Sequence, residues 1–236
     1  MKAASVAVAY WEPRFIVPHL LHIPEWVQDS YVLHSTKPWF GELKEGDPTP
    51  KLADNYATVI SKHWATETDQ RNTGQLLNED KDWIIVLDPD EFLDNDSWEK
   101  LKDFLETTDA DAVIAEGQYT YWKNGWVADP PKDYQQLIAV RPHVRFVDKR
   151  VVGSPYVVAP VWVHHFSWAR TDQEVWDKIS HYAHAKDFDI KDWYENVWLK
   201  WKPGDKDVHP TSPDTLHELK RVILPPEIEE LNLWPR

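Results

Sequence analysis

The five residues Trp83-Ile84-Ile85-Val86-Leu87 are apolar without a break, and the run stops abruptly at Asp88-Pro89-Asp90-Glu91. An apolar run of strand length suits a central strand covered on both faces, as in a parallel sheet. Ligands of open α/β sheets bind beyond the carboxyl ends of their strands, so carboxylates at this point mark a candidate site. On an extended chain Asp88 and Asp90 project the same way and can share a divalent cation, with Pro89 stiffening the link. Hard oxygen donors favour Mg²⁺ or Mn²⁺, ions that complete their shells with diphosphate oxygens. Glu91 faces the other side on that reading and is expected to be structural. The competing reading is a solvated turn that caps the next helix.

The flanking sequence fits an α/β frame. Strands are expected at Ser5 to Trp11, Ser30 to Ser35 and Ala57 to His63, and helices after Pro13, over Thr68 to Glu79 and over Ser97 to Thr107 with Asp96 as N-cap. Thr36 to Pro50, punctuated by Pro and Gly, reads as a long loop. From Asp111 the pattern changes to strands at Val113 to Tyr121, Leu137 to Val147 and Val157 to Phe166, then a helix over Gln173 to Ala185. The last fifty residues are rich in Trp and Pro and weakly periodic. No repeat or flexible linker interrupts the chain, so one domain over residues 1–236 is expected, with a mixed, mostly parallel sheet and a packed C-terminal extension.

Composition narrows the function. A net charge of −14 argues against nucleic acid as a partner, because affinity for phosphate backbones comes from Lys and Arg displacing counterions. The absence of Cys excludes disulfides, zinc-thiolate sites and thiol nucleophiles. There is no apolar span long enough to cross a bilayer and no secretory h-region, so the expected location is cytoplasmic. The 15 Trp suit either a ligand with a flat apolar face or a bulky core.

Gln70-Arg71-Asn72-Thr73-Gly74 followed by Asp82-Trp83 and Asp88-Pro89-Asp90-Glu91 resembles a signature of family 2 type glycosyltransferases with the GT-A fold. The likeness is to small bacterial and viral members similar to lipopolysaccharide-core glucosyltransferases, and Gly125-Trp126-Val127-Ala128-Asp129 matches a further segment of theirs. His165-Phe166-Ser167-Trp168-Ala169-Arg170, with Lys178 beyond, is similar to a later pattern of related enzymes. The resemblance implies a GT-A-like fold, a nucleoside diphosphate sugar as donor, a saccharide acceptor and Mn²⁺ or Mg²⁺ as cofactor. It makes residues 1–110 a nucleotide-binding half, 111–185 an acceptor and metal half, and 186–236 an extension.

Carried onto this chain, the resemblance gives Asp88, Asp90 and His165 to the metal, and Asp88, Arg71 and Asn72 to the donor nucleotide. His164 and His165 face opposite sides of a strand, so only one can reach the metal. Asp129 and Glu116 are the candidate catalytic bases, with His209 a weaker third. Trp122, Trp126 and Trp168 are candidate acceptor-binding residues, because indole packs on the C–H faces of sugars. Trp83 and Trp98 are expected to be structural.

Two rival readings stay open. A metal-dependent phosphohydrolase would need a second acidic cluster behind an apolar strand, and Asp94, Asp96, Asp109 and Asp111 do not provide one. A non-catalytic carbohydrate-binding protein would use the tryptophans and treat the acidic cluster as a Ca²⁺ site.

Overall fold

The computed structural model describes residues 1–131, 136–181, 184–212 and 216–235. In its first half, β1 (Ala3–Ala9), β2 (Val27–Ser35), β3 (Thr58–Lys62) and β4 (Trp83–Ile85) alternate with helices α1 (Ile16–Leu21), α2 (Thr49–Ala53) and α3 (Glu67–Leu77). The strands run parallel in the order β3-β2-β1-β4, with β1 pairing both β2 and β4. All seven residues of β1 and all three of β4 are buried, as unbroken apolar runs predict for strands covered on both faces. Helix α3 lies close on β1 because residue 74 is glycine. A Cβ there would stand 2.6 Å from Val6 Cγ1.

After β4 the chain makes a tight turn, with the Glu91 N–H donating to the Asp88 carbonyl at 2.9 Å, then forms the short β5 (Glu91–Phe92) and α4 (Asn95–Thr107). The N-cap of α4 is Asp94 rather than Asp96. Its carboxylate accepts the Ser97 N–H at 2.7 Å, while Asp96 lies in the first turn and pairs with Lys100. The helix begins two residues sooner than apolar periodicity suggests, because the cap precedes the first buried residue.

The second half adds β6 (Ala112–Trp122), β7 (Trp126–Ala128), β8 (Leu137–Val140), β9 (Phe146–Asp148), β10 (Val151–Val152) and β11 (Tyr156–Trp168). Helices α5 (Asp172–His181) and α6 (Ile190–Trp193), a π-helical turn over Tyr194–Trp198, β12 (Leu219–Arg221) and α7 (Pro226–Glu229) follow. β8 joins the first half to the second by pairing antiparallel with both β4 and β6. β11 runs parallel to β6 along its length, with an irregularity around Pro160, and pairs antiparallel with β5 at His164 and His165.

The expected strand Leu137 to Val147 is two strands. Pro142 cannot donate to a ladder, so β8 ends, and β9 turns away to form a separate two-stranded hairpin with β10. The expected helix Gln173 to Ala185 is seen as α5 up to His181, and residues 182–183 of that expectation lie outside the described residues. The fold is a mixed α/β sheet, parallel at its centre and flanked by helices.

Candidate active site

The carboxyl ends of β1 and β4, the β5 turn, β6, β11, α5 and the β9–β10 hairpin enclose a cavity of about 770 Å³. Its centre is set by strand register. Pairing of β5 with β11 puts Glu91 opposite His165, while β6 puts Thr120 beside His165 on the other edge. Asp90, Glu91 and His165 each offer a ligand atom within 4.8 Å of the others.

Asp90 has its own cations, whereas Asp88 and Glu91 share Arg150. Asp90 is 5% exposed; its Oδ2 accepts from Arg170 Nη2 at 2.8 Å and Lys178 Nζ at 3.0 Å, and Oδ1 lies 3.5 Å from His165 Nε2. Burial would raise its carboxyl, but Lys178, His165 and Arg170 hold it well below the usual carboxylate range. Asp88 accepts two bonds from Arg71 Nη2, at 2.8 and 3.0 Å, and Arg150 stands 3.4 Å away. Burial opposes its ionisation too, and Arg71 and Arg150 outweigh it. Glu91 receives Arg150 Nη1 on both oxygens at 2.8 Å and the Asp88 N–H at 2.8 Å.

The structure thus brings Asp90 and His165 together as the motif predicts, but with Glu91 and not Asp88 as their companion. The extended-chain argument breaks down because Pro89 and Asp90 sit in a turn. That turn sends Asp88 toward α3 and brings Glu91 back to the cavity. His164 points the other way, as alternation requires, to Tyr121 Oη at 2.6 Å and Asp94 at 3.5 Å.

Arg71 lines the cavity as expected, held between Asp88 and Glu67. Asn72 does not. Its amide brackets the Phe146 backbone, donating to the carbonyl at 3.0 Å and accepting the N–H at 2.9 Å, and so fastens the β9–β10 hairpin to α3. Neither candidate base reaches the cavity: Asp129 pairs with Lys220 at the surface, and Glu116 accepts the Trp162 indole N–H. Among the three tryptophans, Trp168 lines the cavity. Trp122 is wholly buried against Trp198 with ring centroids 4.7 Å apart, and Trp126 packs under Arg221 and against Trp201. His209 lines the cavity, edge-on to Trp168.

Sequence reasoning assigned no role to four charged groups that line the cavity, Glu12, Arg150, Arg170 and Lys178. Glu12, just past the carboxyl end of β1, accepts from Arg170 Nη2 at 3.0 Å. Burial pushes its carboxyl up to about 7, against the pull of Arg170. The rule that ligands gather at strand ends applies to β1 as well as β4 and could have found it. Lys178 entered the motif without a role. Arg150 carries no sequence signal, because its place depends on the hairpin folding back over the β4 turn. Its Nη2 also donates to the Val86 carbonyl.

No protein-family model matches the sequence, and a comparison with curated proteins finds no match. Among solved structures the chain is similar to S. aureus TarS 1-349 in complex with UDP-GlcNAc, with 11% identity and a TM-score of 0.50 over 75% of this chain. It covers 64% of that TarS chain. Other similar structures are GalNAc-T7 with UDP, GalNAc and Mn²⁺ (11% identity, TM-score 0.48, 84% of this chain and 50% of that one) and glucosyl-3-phosphoglycerate synthase from Mycobacterium tuberculosis (16%, 0.39, 52% and 44%). The TarS likeness carries the fold: the chain has the GT-A type of α/β architecture. Among the described residues no helix is long and apolar enough to cross a membrane.

Proposed function

We propose that this protein is a metal-dependent glycosyltransferase that moves a sugar from a nucleoside diphosphate sugar to an acceptor hydroxyl, with a saccharide as acceptor. The observation that carries the reading is the Asp90, Glu91 and His165 group, set among Arg71, Arg150, Arg170 and Lys178 in one cavity. A donor set of carboxylates and one imidazole, with ligand atoms within 4.8 Å, fits a single Mn²⁺ or Mg²⁺. The imidazole favours Mn²⁺. When bound, such an ion supplies Lewis-acid neutralisation of a departing diphosphate.

The chain's own residues do the rest. Arg71, Arg150, Arg170 and Lys178, held by Asp88, Glu91 and Asp90, place four positive charges around the motif that would meet the negative charge growing as the bond from sugar to diphosphate breaks. Lys178 is braced by the carbonyl and hydroxyl of Ser167, which keeps its ammonium at the cavity wall. The low-dielectric setting strengthens each of these interactions at no reorganisation cost during reaction. Of Trp168 and Trp39, which line the cavity, half-buried Trp39 is the one open to an acceptor sugar, because Trp168 is only 2% exposed. Deprotonation of the acceptor hydroxyl needs a base inside the cavity, and Asp129 and Glu116 stand outside it.

Calorimetric titration with UDP, GDP, CDP and ADP, each with and without Mn²⁺, tests the reading. One nucleotide is expected to bind at least about ten-fold more tightly with the metal, a gain of roughly 1.4 kcal/mol. No binding of any nucleotide in the presence of Mn²⁺ would refute it.

A further inference from the structure

Beside the charged centre the cavity wall carries a patch without charge. Gln118 and Thr120 on β6 and Gln136 just before β8 line the cavity and are buried to 5, 3 and 4% exposure. Gln118 Nε2 donates to Thr120 Oγ1 at 2.8 Å, which leaves Gln118 Oε1 buried with no hydrogen-bond partner. Gln136 Nε2 is likewise buried without a partner. The Gln136 carbonyl is fixed by the Ala115 N–H at 2.8 Å, tying that backbone to β6. Thr120 is the strand neighbour of His165, so the patch starts beside the Asp90, Glu91 and His165 group and continues along β6.

Buried polar atoms without partners are uncommon in folded proteins, and leaving them so is costly. A bound molecule that supplies the missing partners removes that cost. The two amides define its chemistry. A hydroxyl both donates and accepts, so it satisfies an amide oxygen or an amide nitrogen alike. A carboxylate offers acceptors only, so it can pair the Gln136 amide nitrogen but leaves the Gln118 amide oxygen without a donor. An ammonium group offers donors only.

We propose that Gln118, Thr120 and Gln136 form a subsite for an uncharged hexose, reading its ring hydroxyls next to the metal group. The proposal rests on the transferase reading for its biological meaning, and its chemistry is shared by the sugar of a donor and that of an acceptor. The subsite discriminates against uronic acids, because a site built to hydrogen-bond hydroxyls leaves its own buried groups unpaired when the wrong substituent enters.

Saturation-transfer NMR with Mg²⁺ reads sugar and nucleoside protons separately. The probes are UDP-glucose, GDP-mannose, UDP-glucuronate and free maltose, tested on the wild type and on Gln118→Leu, Gln136→Leu and the volume-conserving Gln118→Glu, each checked for folding by circular dichroism. Sugar-proton saturation from a neutral hexose is expected in the wild type and should fall about ten-fold in the variants while nucleoside-proton saturation persists. If the loss falls on UDP-glucose or GDP-mannose, the subsite takes the donor sugar; if on maltose, it takes the acceptor. Maltose binding that depends on both glutamines, with no nucleotide bound, would uphold the subsite and overturn the transferase reading. Sugar signals unchanged in all folded variants, no sugar saturation in the wild type, or glucuronate saturated as strongly as glucose would overturn the proposal.

Discussion

Replacing His165 by Ala separates a metal-binding role from a structural one. In the structure His165 contributes little to stability: Nε2 lies 3.5 Å from Asp90 and 4.0 Å from Glu91, both too long for a good hydrogen bond, and Nδ1 has no partner. Its side chain is 21% exposed, and its backbone pairing with β5 and β6 survives the substitution. The expected cost is about 1 kcal/mol, or roughly 2–4 °C in melting temperature for a chain of this size. Removing one of three protein ligands should weaken metal-dependent nucleotide binding by about 10-fold to 100-fold or more, at least the loss seen when groups supporting a metal ligand are removed. Asp90→Asn is the control. It leaves Lys178 facing an uncharged amide and Arg170 with Glu12 alone in a buried setting, which costs about 3–5 kcal/mol and roughly 6–20 °C. Thermal melts and nucleotide titrations with and without Mn²⁺ on both variants give the comparison. Both should lose the metal-dependent gain, and only the Asp90 variant should lose much stability. A His165→Ala protein with the full Mn²⁺-dependent gain would refute the ligand assignment, and one as unstable as Asp90→Asn would refute the reading of its contacts.

Three further outcomes are expected. Asp94→Ala removes the α4 cap and the His164 contact, costing about 1–2 kcal/mol. The His164 bond holds the Asp94 carboxyl down to about 2 from 3.8, so its stabilising effect is complete above pH 4 and lost as pH falls toward 2; acid titration of the variant should show a shallower decline over that window. Gly74→Ala drives a Cβ against Val6 and should lower stability by about 1–3 kcal/mol despite alanine's better helix propensity, as a denaturant midpoint would show. Arg150→Met frees Glu91 from its cation and leaves Asp88 with Arg71, so Mn²⁺ affinity should rise while nucleotide affinity falls, whereas mere structural damage would lower both.

β1 and β4 were readable because burial on both faces leaves a nearly unbroken apolar signature, and β4 with its acidic terminus was the plainest case. Alternation along a strand required His164 and His165 to face opposite sides, and the choice of His165 came from its place in the motif. What could not be read were features decided by a single turn or by distant chain. Asp88 and Asp90 are two residues apart, and whether they share a ligand depends on whether Pro89 lies in a strand or a turn. Local sequence does not decide that, because the Arg71 partner of Asp88 and the Arg170 and Lys178 partners of Asp90 come from other elements. Asn72 sits in a recognisable motif, but its partner is the backbone of Phe146, whose position follows from a hairpin that Pro142 separates from the sheet. Asp129 was chosen from a family position in a loop and Glu116 from an expected strand end, but Asp129 pairs with Lys220 just past β7 and Glu116 lies inside β6 with its side chain at the surface.

The tryptophans show how scaffold and site are connected. Trp11, Trp39 and Trp168 line the cavity, whereas Trp122, Trp193 and Trp198 pack with Trp168 into a cluster that also buries Val175 and Ile179 of α5. Trp168 ends β11, two residues before Arg170, and the Lys178 ammonium stands 5.8 Å from its ring centroid. The cluster therefore joins the end of the strand that supplies His165 to the helix that supplies Lys178. Indoles suit this task, because each buries a large area while ordering only two side-chain torsions. Electrostatic stabilisation depends on cations held in place before charge develops, and a displacement of about 1 Å at such a site can cost about 100-fold in rate. The Trp-rich C-terminal segment thus acts at a distance, by fixing where Arg170 and Lys178 meet Asp90.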